Sequence, residues 1–75
     1  MAQFTYEVKK HIAVLSDSGT LATELNIISY SGNEPKYDLR KWRTGGGEKK
    51  MQKGITLTRD ELLELRKVLN ELGEI

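Results

Sequence analysis

Cysteine is absent from this 75-residue chain, and histidine, proline, phenylalanine and tryptophan occur once each. Without cysteine there are no disulfides, and a lone imidazole, His11, cannot complete a structural zinc site. A chain this short buries a small share of its surface, so its core needs a supplement. With bridges and metal excluded, association with a second copy is the device that remains. The lack of thiols fits a reducing compartment, and Met1-Ala2-Gln3-Phe4-Thr5-Tyr6 has neither the charged start nor the apolar run of a secretory signal. The expected location is the cytoplasm, free or associated with the nucleoid. No apolar run approaches the roughly 20 residues that a membrane-spanning helix needs, so no membrane partner is expected.

Catalytic apparatus is equally sparse. Nothing near His11 marks a base held beside a nucleophile. Asp60, Glu61 and Glu64 are explained by helix capping and solvation. Gly45-Gly46-Gly47-Glu48-Lys49-Lys50 bears a passing likeness to a phosphate loop, but it lacks the Gly-x-x-x-x-Gly-Lys-Ser/Thr spacing and leads into a strand, as a hairpin loop would. The expectation is a non-enzymatic domain with no cofactor, no metal and no small-molecule substrate.

Net charge is also small, +1, but its distribution is not uniform. Residues 1–35 and residues 54–75 each carry an acidic excess. Between them, residues 36–53 hold Lys36, Arg40, Lys41, Arg43, Lys49, Lys50 and Lys53 against only Asp38 and Glu48. A near-neutral chain thus conceals one basic segment, and that segment contains Trp42.

Periodicity supplies the frame. Tyr6, Val8, Ile12 and Val14 recur with period two from Tyr6 to Ser16, the pattern of a half-buried strand. Asp17-Ser18-Gly19-Thr20 reads as a turn, and Leu21 to Tyr30 as a second strand whose core face Leu25, Ile27 and Ile28 leave ambiguous. Ser31-Gly32-Asn33-Glu34-Pro35 ends it. Lys36 to Arg43 alternates again, with Tyr37 and Leu39 on one side and Lys36, Asp38, Arg40 and Trp42 on the other. The three charges sharing a face with Trp42 argue for its exposure. Thr44-Gly45-Gly46-Gly47-Glu48 is a flexible loop, and Met51 to Leu57 a fourth strand directing Ile55 and Leu57 to one face. Four strands at this spacing predict an antiparallel meander.

A helix follows. Thr58 with Glu61 forms a capping box, and Gly73 is a stop. At about 100° per residue Leu62, Leu65, Val68, Leu69, Leu72 and Ile75 fall within an arc of roughly 140°, with Leu63 outside it. That stripe either packs internally or partly meets a second subunit. The basic strand has two readings as well. Its cations solvate an edge hairpin against aggregation, or Arg40 and Trp42 serve unpaired nucleic acid, the cation for phosphate and the ring for a base, with Lys36, Lys49, Lys50 and Lys53 flanking them.

Lys36-Tyr37-Asp38-Leu39-Arg40-Lys41-Trp42, a polar Gly-rich loop, Lys53-Gly54-Ile55-Thr56-Leu57-Thr58 and then an acidic, leucine-rich helix together resemble the transcriptional positive cofactor four (p15) family. Glu24-Leu25-Asn26 and Glu34-Pro35-Lys36-Tyr37-Asp38 look like its small bacterial YdbC-type members, and the likeness covers roughly residues 12–70. The resemblance implies an α+β fold: a curved four-stranded antiparallel sheet followed by one C-terminal helix, a single domain over residues 1–75. It implies a homodimer formed largely through the helix and the neighbouring strand, and single-stranded DNA held across the sheet; on the helix face Leu62, Leu65, Leu69 and Leu72 are the expected interface residues. Carried over by position, Arg40, Trp42, Lys53 and Gly54 match the family's DNA-contacting motifs, and Lys36 and Lys50 accompany them. Tyr30 is a further stacking candidate. The function so implied is largely sequence-independent single-strand binding, in transcription regulation or in replication and repair. Single-stranded RNA is an alternative ligand, and a protein-interaction module without nucleic acid an alternative function.

Overall fold

The computed structural model describes residues 5–74. Residues 1–4 of the signal-peptide reading, and Ile75 of the helical stripe, lie outside the described residues. Four strands, β1 (Tyr6–Asp17), β2 (Leu21–Tyr30), β3 (Lys36–Arg43) and β4 (Lys50–Leu57), pair in chain order in one antiparallel sheet, and the helix α1 (Arg59–Leu72) follows. The expected meander and helix are therefore what forms, with β1 and β4 each one residue longer than periodicity placed them. The Gly-rich loop is not wholly irregular, for Gly45–Gly47 make a tight 3₁₀ turn.

Local chemistry explains the element ends. Thr58 Oγ1 accepts from the Glu61 N–H at 3.1 Å and Glu61 Oε1 accepts from the Thr58 N–H at 2.9 Å, the reciprocal capping box expected from sequence. At the far end Gly73, at φ 75°, turns its N–H back to the Leu69 carbonyl. In the β1–β2 turn, Asp17 Oδ1 accepts from the Gly19 N–H at 2.8 Å.

The sheet curls strongly. Tyr6 pairs with Tyr30 at one end of β2, whereas Trp42 pairs with Ala22 at the other. Those two positions would be about 26 Å apart on a flat strand rising ~3.3 Å per residue. Yet the Tyr6 and Trp42 rings stand 5.8 Å apart between centroids, so the face carrying them is the inside of the curve. Irregularities supply the bend: β1 shifts register against β2 between Val8 and Lys10, between His11 and Ala13 and between Val14 and Ser16, while β4 shifts against β3 between Arg40 and Trp42.

This curvature changes what alternation means for burial. On β2 the inner residues Ala22, Glu24, Asn26 and Ile28 are all buried, which resolves the ambiguity left by the sequence, and Leu25 and Ile27 on the outer face are half-buried. On β1 the expected half-burial of Tyr6, Val8, Ile12 and Val14 is not found. All four are exposed, because β1 is an edge strand whose bulges break the strict alternation.

The outer face meets α1 loosely. The radius of gyration, 13.9 Å, exceeds the roughly 11 Å of a compact chain of this length. No residue of α1 is buried. A groove of about 720 Å³ runs between helix and sheet, lined by Leu25, Leu39 and Leu57 on one side and Leu62, Leu65 and Leu69 on the other. Leu63, placed off the stripe by spacing, also lines it. Among the described residues no helix is long and apolar enough to cross a membrane.

One approach in the sheet is unusually close. Gly54 faces Arg40 across β3 and β4 next to the β4 bulge, and a Cβ built on Gly54 would lie 1.9 Å from Arg40 Cβ and 2.6 Å from its Cα. Neither atom is a flexible side-chain end, so the strands would have to part. Gly54→Ala is expected to lower stability by about 3 kcal/mol, the upper part of the overpacking range, seen as a reduced urea midpoint.

Candidate nucleic-acid interface

Cross-strand register arranges the inner face in rows. Glu24 lies between Val14 on β1 and Arg40 on β3, and beyond Arg40 comes Gly54. Asn26 lies between His11 and Asp38, and beyond Asp38 comes Thr56. Ala22 is flanked by Trp42, with Met51 beyond it. Polar and charged side chains thus occupy the centre of the inside surface, where they have to satisfy one another.

Asp38 is the most enclosed of them, with 0% exposure. A buried carboxylate persists only when paired and hydrogen-bonded. Arg40 supplies the pairing in a bidentate fork, Nε to Oδ1 at 2.6 Å and Nη2 to Oδ2 at 2.7 Å, and the Tyr30 hydroxyl donates to Oδ2 at 2.5 Å. Arg40 Nη1 also donates to the Gln52 carbonyl at 2.9 Å, a group that the β4 bulge brings within reach. Three of the five guanidinium N–H groups are therefore committed, which leaves at most two for a ligand. The hydrogen bond from Arg40 to Asp38 raises the Arg40 pKa above its ordinary value despite the opposing effect of burial. Tyr30 is pushed up to about 12, by burial first and then by its hydrogen bond to the Asp38 carboxylate and the charge of that group, so the phenol stays neutral and donating. The Arg40 guanidinium also lies 5.7 Å from the Tyr30 ring centroid.

Trp42 shares this face, as alternation predicted, but the exposure inferred from its charged neighbours is not found: it is 2% exposed. The reason is that the face is the inside of a curled sheet, where Asp38 and Arg40 neutralise each other instead of standing in water. Tyr6 packs over the indole, and Lys49 places its Nζ 5.1 Å from the ring centroid. Among the described residues, Trp42 Nε1 is a buried side-chain donor with no hydrogen-bond partner.

A second polar cluster adjoins it. Lys49 Nζ reaches both Glu24 oxygens, at 2.9 and 2.8 Å, and Asn26 Nδ2 donates to Glu24 Oε1 at 3.3 Å. His11 Nδ1 donates to Asn26 Oδ1 at 2.7 Å, since an amide oxygen only accepts. Burial alone would raise the Glu24 carboxyl, but hydrogen bonds from Lys49 and Asn26, together with the charges of Lys49 and His11, outweigh it and hold it below the ordinary carboxylate value.

Of the residues picked from sequence, Tyr30, Arg40, Trp42 and Gly54 come together on the inner face. Lys36 shares their side of β3 at its start and is exposed, and Lys53 is exposed beside the β4 bulge. Lys50 is separated from them: it pairs with Arg43, a position whose register faces away from Trp42. Asp38, Glu24, Asn26, His11, Lys49 and the Gln52 carbonyl complete the arrangement. One signal for them was present, because Asp38 precedes Arg40 by two residues and therefore shares its face, where opposite charges pair.

Two comparisons bear on this arrangement. The family model described as Transcriptional Coactivator p15 (PC4) matches residues 22–68, which span β2 through most of α1. A protein of Treponema pallidum (strain Nichols), described as an uncharacterized protein, is 44% identical over 71 residues, covering 93% of this chain and 81% of its own length.

Proposed function

The chain belongs to the transcriptional coactivator p15 family, which binds single-stranded DNA, and from that membership we propose that it is a homodimeric, non-enzymatic, largely sequence-independent single-stranded DNA-binding protein, one domain over its 75 residues. The observation that carries this reading is the inner face, where aromatic rings and an immobilised guanidinium line one curved surface bordered by lysines. Single-strand sites combine rings for bases with cations for phosphates. In this reading the strand follows the inside of the curve, bases meet Trp42 and Tyr30, and Lys36 and Lys53 hold phosphates. Lys50 reaches the strand only from the rim. Trp42 is opened for stacking when Lys49, half-exposed on the Gly-rich loop, exchanges Glu24 for a phosphate. Arg40 acts through its fixed N–H groups more than as a free charge, and Gly54 lets β4 close on Arg40. Transcription regulation, or replication and repair, would supply such strands.

Titration of the single indole by fluorescence tests the reading. Single-stranded DNA should change Trp42 emission and bind more tightly than a duplex of equal length, and log affinity should fall linearly with log salt. Unchanged emission and anisotropy at saturating oligonucleotide and low salt would favour a protein-interaction module instead. RNA of the same length that binds more tightly than DNA would reassign the ligand to RNA.

The dimer rests on the outer face. Leu63, Leu65, Val68, Leu69 and Leu72 of α1 are all exposed, and Ile55, which pairs with Leu39 on β3, is 56% exposed. A contiguous apolar surface of this kind marks an interaction site. A second copy is the occupant, through Leu62, Leu65, Leu69 and Leu72. Leu69→Glu should lower both the molecular mass in solution and the thermal midpoint; a wild-type mass corresponding to a monomer, by light scattering at micromolar concentration, would refute the dimer.

A further inference from the structure

Tyr6 begins β1 on the inner face, opposite Tyr30 in the register. Its backbone is held there, because the Ser31 N–H donates to the Thr5 carbonyl at 2.9 Å just beyond the pair. Its ring stands 5.8 Å from that of Trp42 and 6.5 Å from that of Tyr30, tilted by 57° and 45°. The curl of the sheet thus gathers rings from β1, β2 and β3 into one cluster. They are not equally accessible. Trp42 is 2% exposed and has Lys49 over its ring, and Tyr30 is half-buried beneath the Arg40 guanidinium with its hydroxyl committed to Asp38. Tyr6 is 39% exposed. Both of its printed contacts are tilted, as aromatic pairs prefer, and neither is the parallel stack that would cover a whole face of the ring.

The two flanks of the inner face also differ in charge. From Tyr6 to Val14 the inner positions of β1 are Tyr6, Val8, His11 and Val14, while Glu7 and Lys10 fall on the outer side and Lys9, at the first bulge, pairs with Glu7 at 3.1 Å. Val8 and Val14 are exposed, so this flank offers water an aromatic and apolar surface. At the other side of the sheet Lys36 begins β3 and Lys53 lies beside the β4 bulge, both exposed. A single strand of nucleic acid is two-sided in the same way, with rings along one side and phosphates along the other.

We propose that Tyr6 is a base-stacking residue of the strand-binding face, and that the strand lies in the curve with its bases toward β1 and its phosphates toward β3 and β4. This rests on the single-strand reading above and deepens it, adding a ring that lies outside the residues 22–68 matched by the family model. Trp42 backs the platform through its contact with Tyr6. That contact does not depend on the Lys49–Glu24 pair, so the Tyr6 ring serves a base both before and after Lys49 exchanges its partner.

The test compares oligo-dT with an equal-length strand of abasic deoxyribose phosphates, which carries the charge without the rings, by competition at one low salt concentration. Tyr6→Leu should weaken oligo-dT about tenfold, the contribution of one stacked base. It should leave abasic-strand affinity and the slope of log affinity against log salt unchanged. Tyr6→Phe keeps the ring and should bind oligo-dT as the wild type does. In the wild type, a strand carrying 5-iodouracil, which couples under ultraviolet light to rings stacked on it, should attach to Tyr6. Equal oligo-dT binding by the wild type and Tyr6→Leu overturns the stacking and leaves strand binding standing, as does a deficit in Tyr6→Phe as large as that in Tyr6→Leu. Should Tyr6→Leu lose both strands together through misfolding, the wild-type adduct decides: attachment at Tyr6 upholds the stacking, and attachment only elsewhere overturns it. Failure of every strand to bind the wild type overturns both readings.

Discussion

The fold is organised around one enclosed negative charge. Asp38 lies at the centre of the inner face with no exposure to solvent, and a carboxylate in that position has to be met by a cation and by hydrogen bonds or be neutralised. Arg40 meets it with two N–H groups, Tyr30 with its hydroxyl, and the Gln52 carbonyl holds Arg40 from the other side. These hydrogen bonds tie β2, β3 and β4 together at one point. They also require Gly54, since only a residue without Cβ fits against the Arg40 backbone there.

A sheet lined this way has inverted the usual division of its faces. Its inside holds Glu24, Asn26 and Asp38 beside the apolar Ala22, Ile28 and Trp42, while leucines of the helix and sheet surround an open groove on the outside. Polar groups fixed at known distances suit recognition of a polar ligand but add little net stability, because their mutual bonds mostly replace bonds to water. The apolar burial missing from a single copy is what a second copy would supply through α1. The two halves of the proposed function, strand binding within and dimerisation without, thus follow from the same choice of faces.

Much of this was legible in the residues. Alternation from Lys36 to Arg43 assigned the faces of β3, and Thr58 with Glu61 marked the start of the helix. The basic segment around Trp42 includes the whole of β3, the strand that carries Asp38 and Arg40. Legibility failed where curvature decides the outcome. Period two says which residues share a face, but not whether that face is convex and wet or concave and enclosed. Trp42 was expected in solvent for that reason, and β1 was expected to be half-buried. Local alternation also cannot register a bulge in advance, so the turn of the Gln52 carbonyl toward Arg40 was out of reach. Lys50 was grouped with the other lysines by composition, whereas register sets it on the opposite side from Trp42. Glu24 and Asn26 stood in the strand whose core face the hydrophobic pattern could not choose, and the family resemblance drew attention to them as a motif without giving them a role.

The most direct test is to remove the central charge while keeping its shape. Asp38→Asn makes the protein more positive by one unit, so electrostatics alone predicts tighter binding of single-stranded DNA. If Arg40 and Tyr30 serve the strand through the positions that Asp38 imposes on them, the folded variant should bind oligo-dT several-fold more weakly than the wild type at the same salt. That weakening corresponds to about 1 kcal/mol, the scale of one charge-assisted hydrogen bond drawn out of alignment. Unchanged or tighter binding by the folded variant would contradict the account.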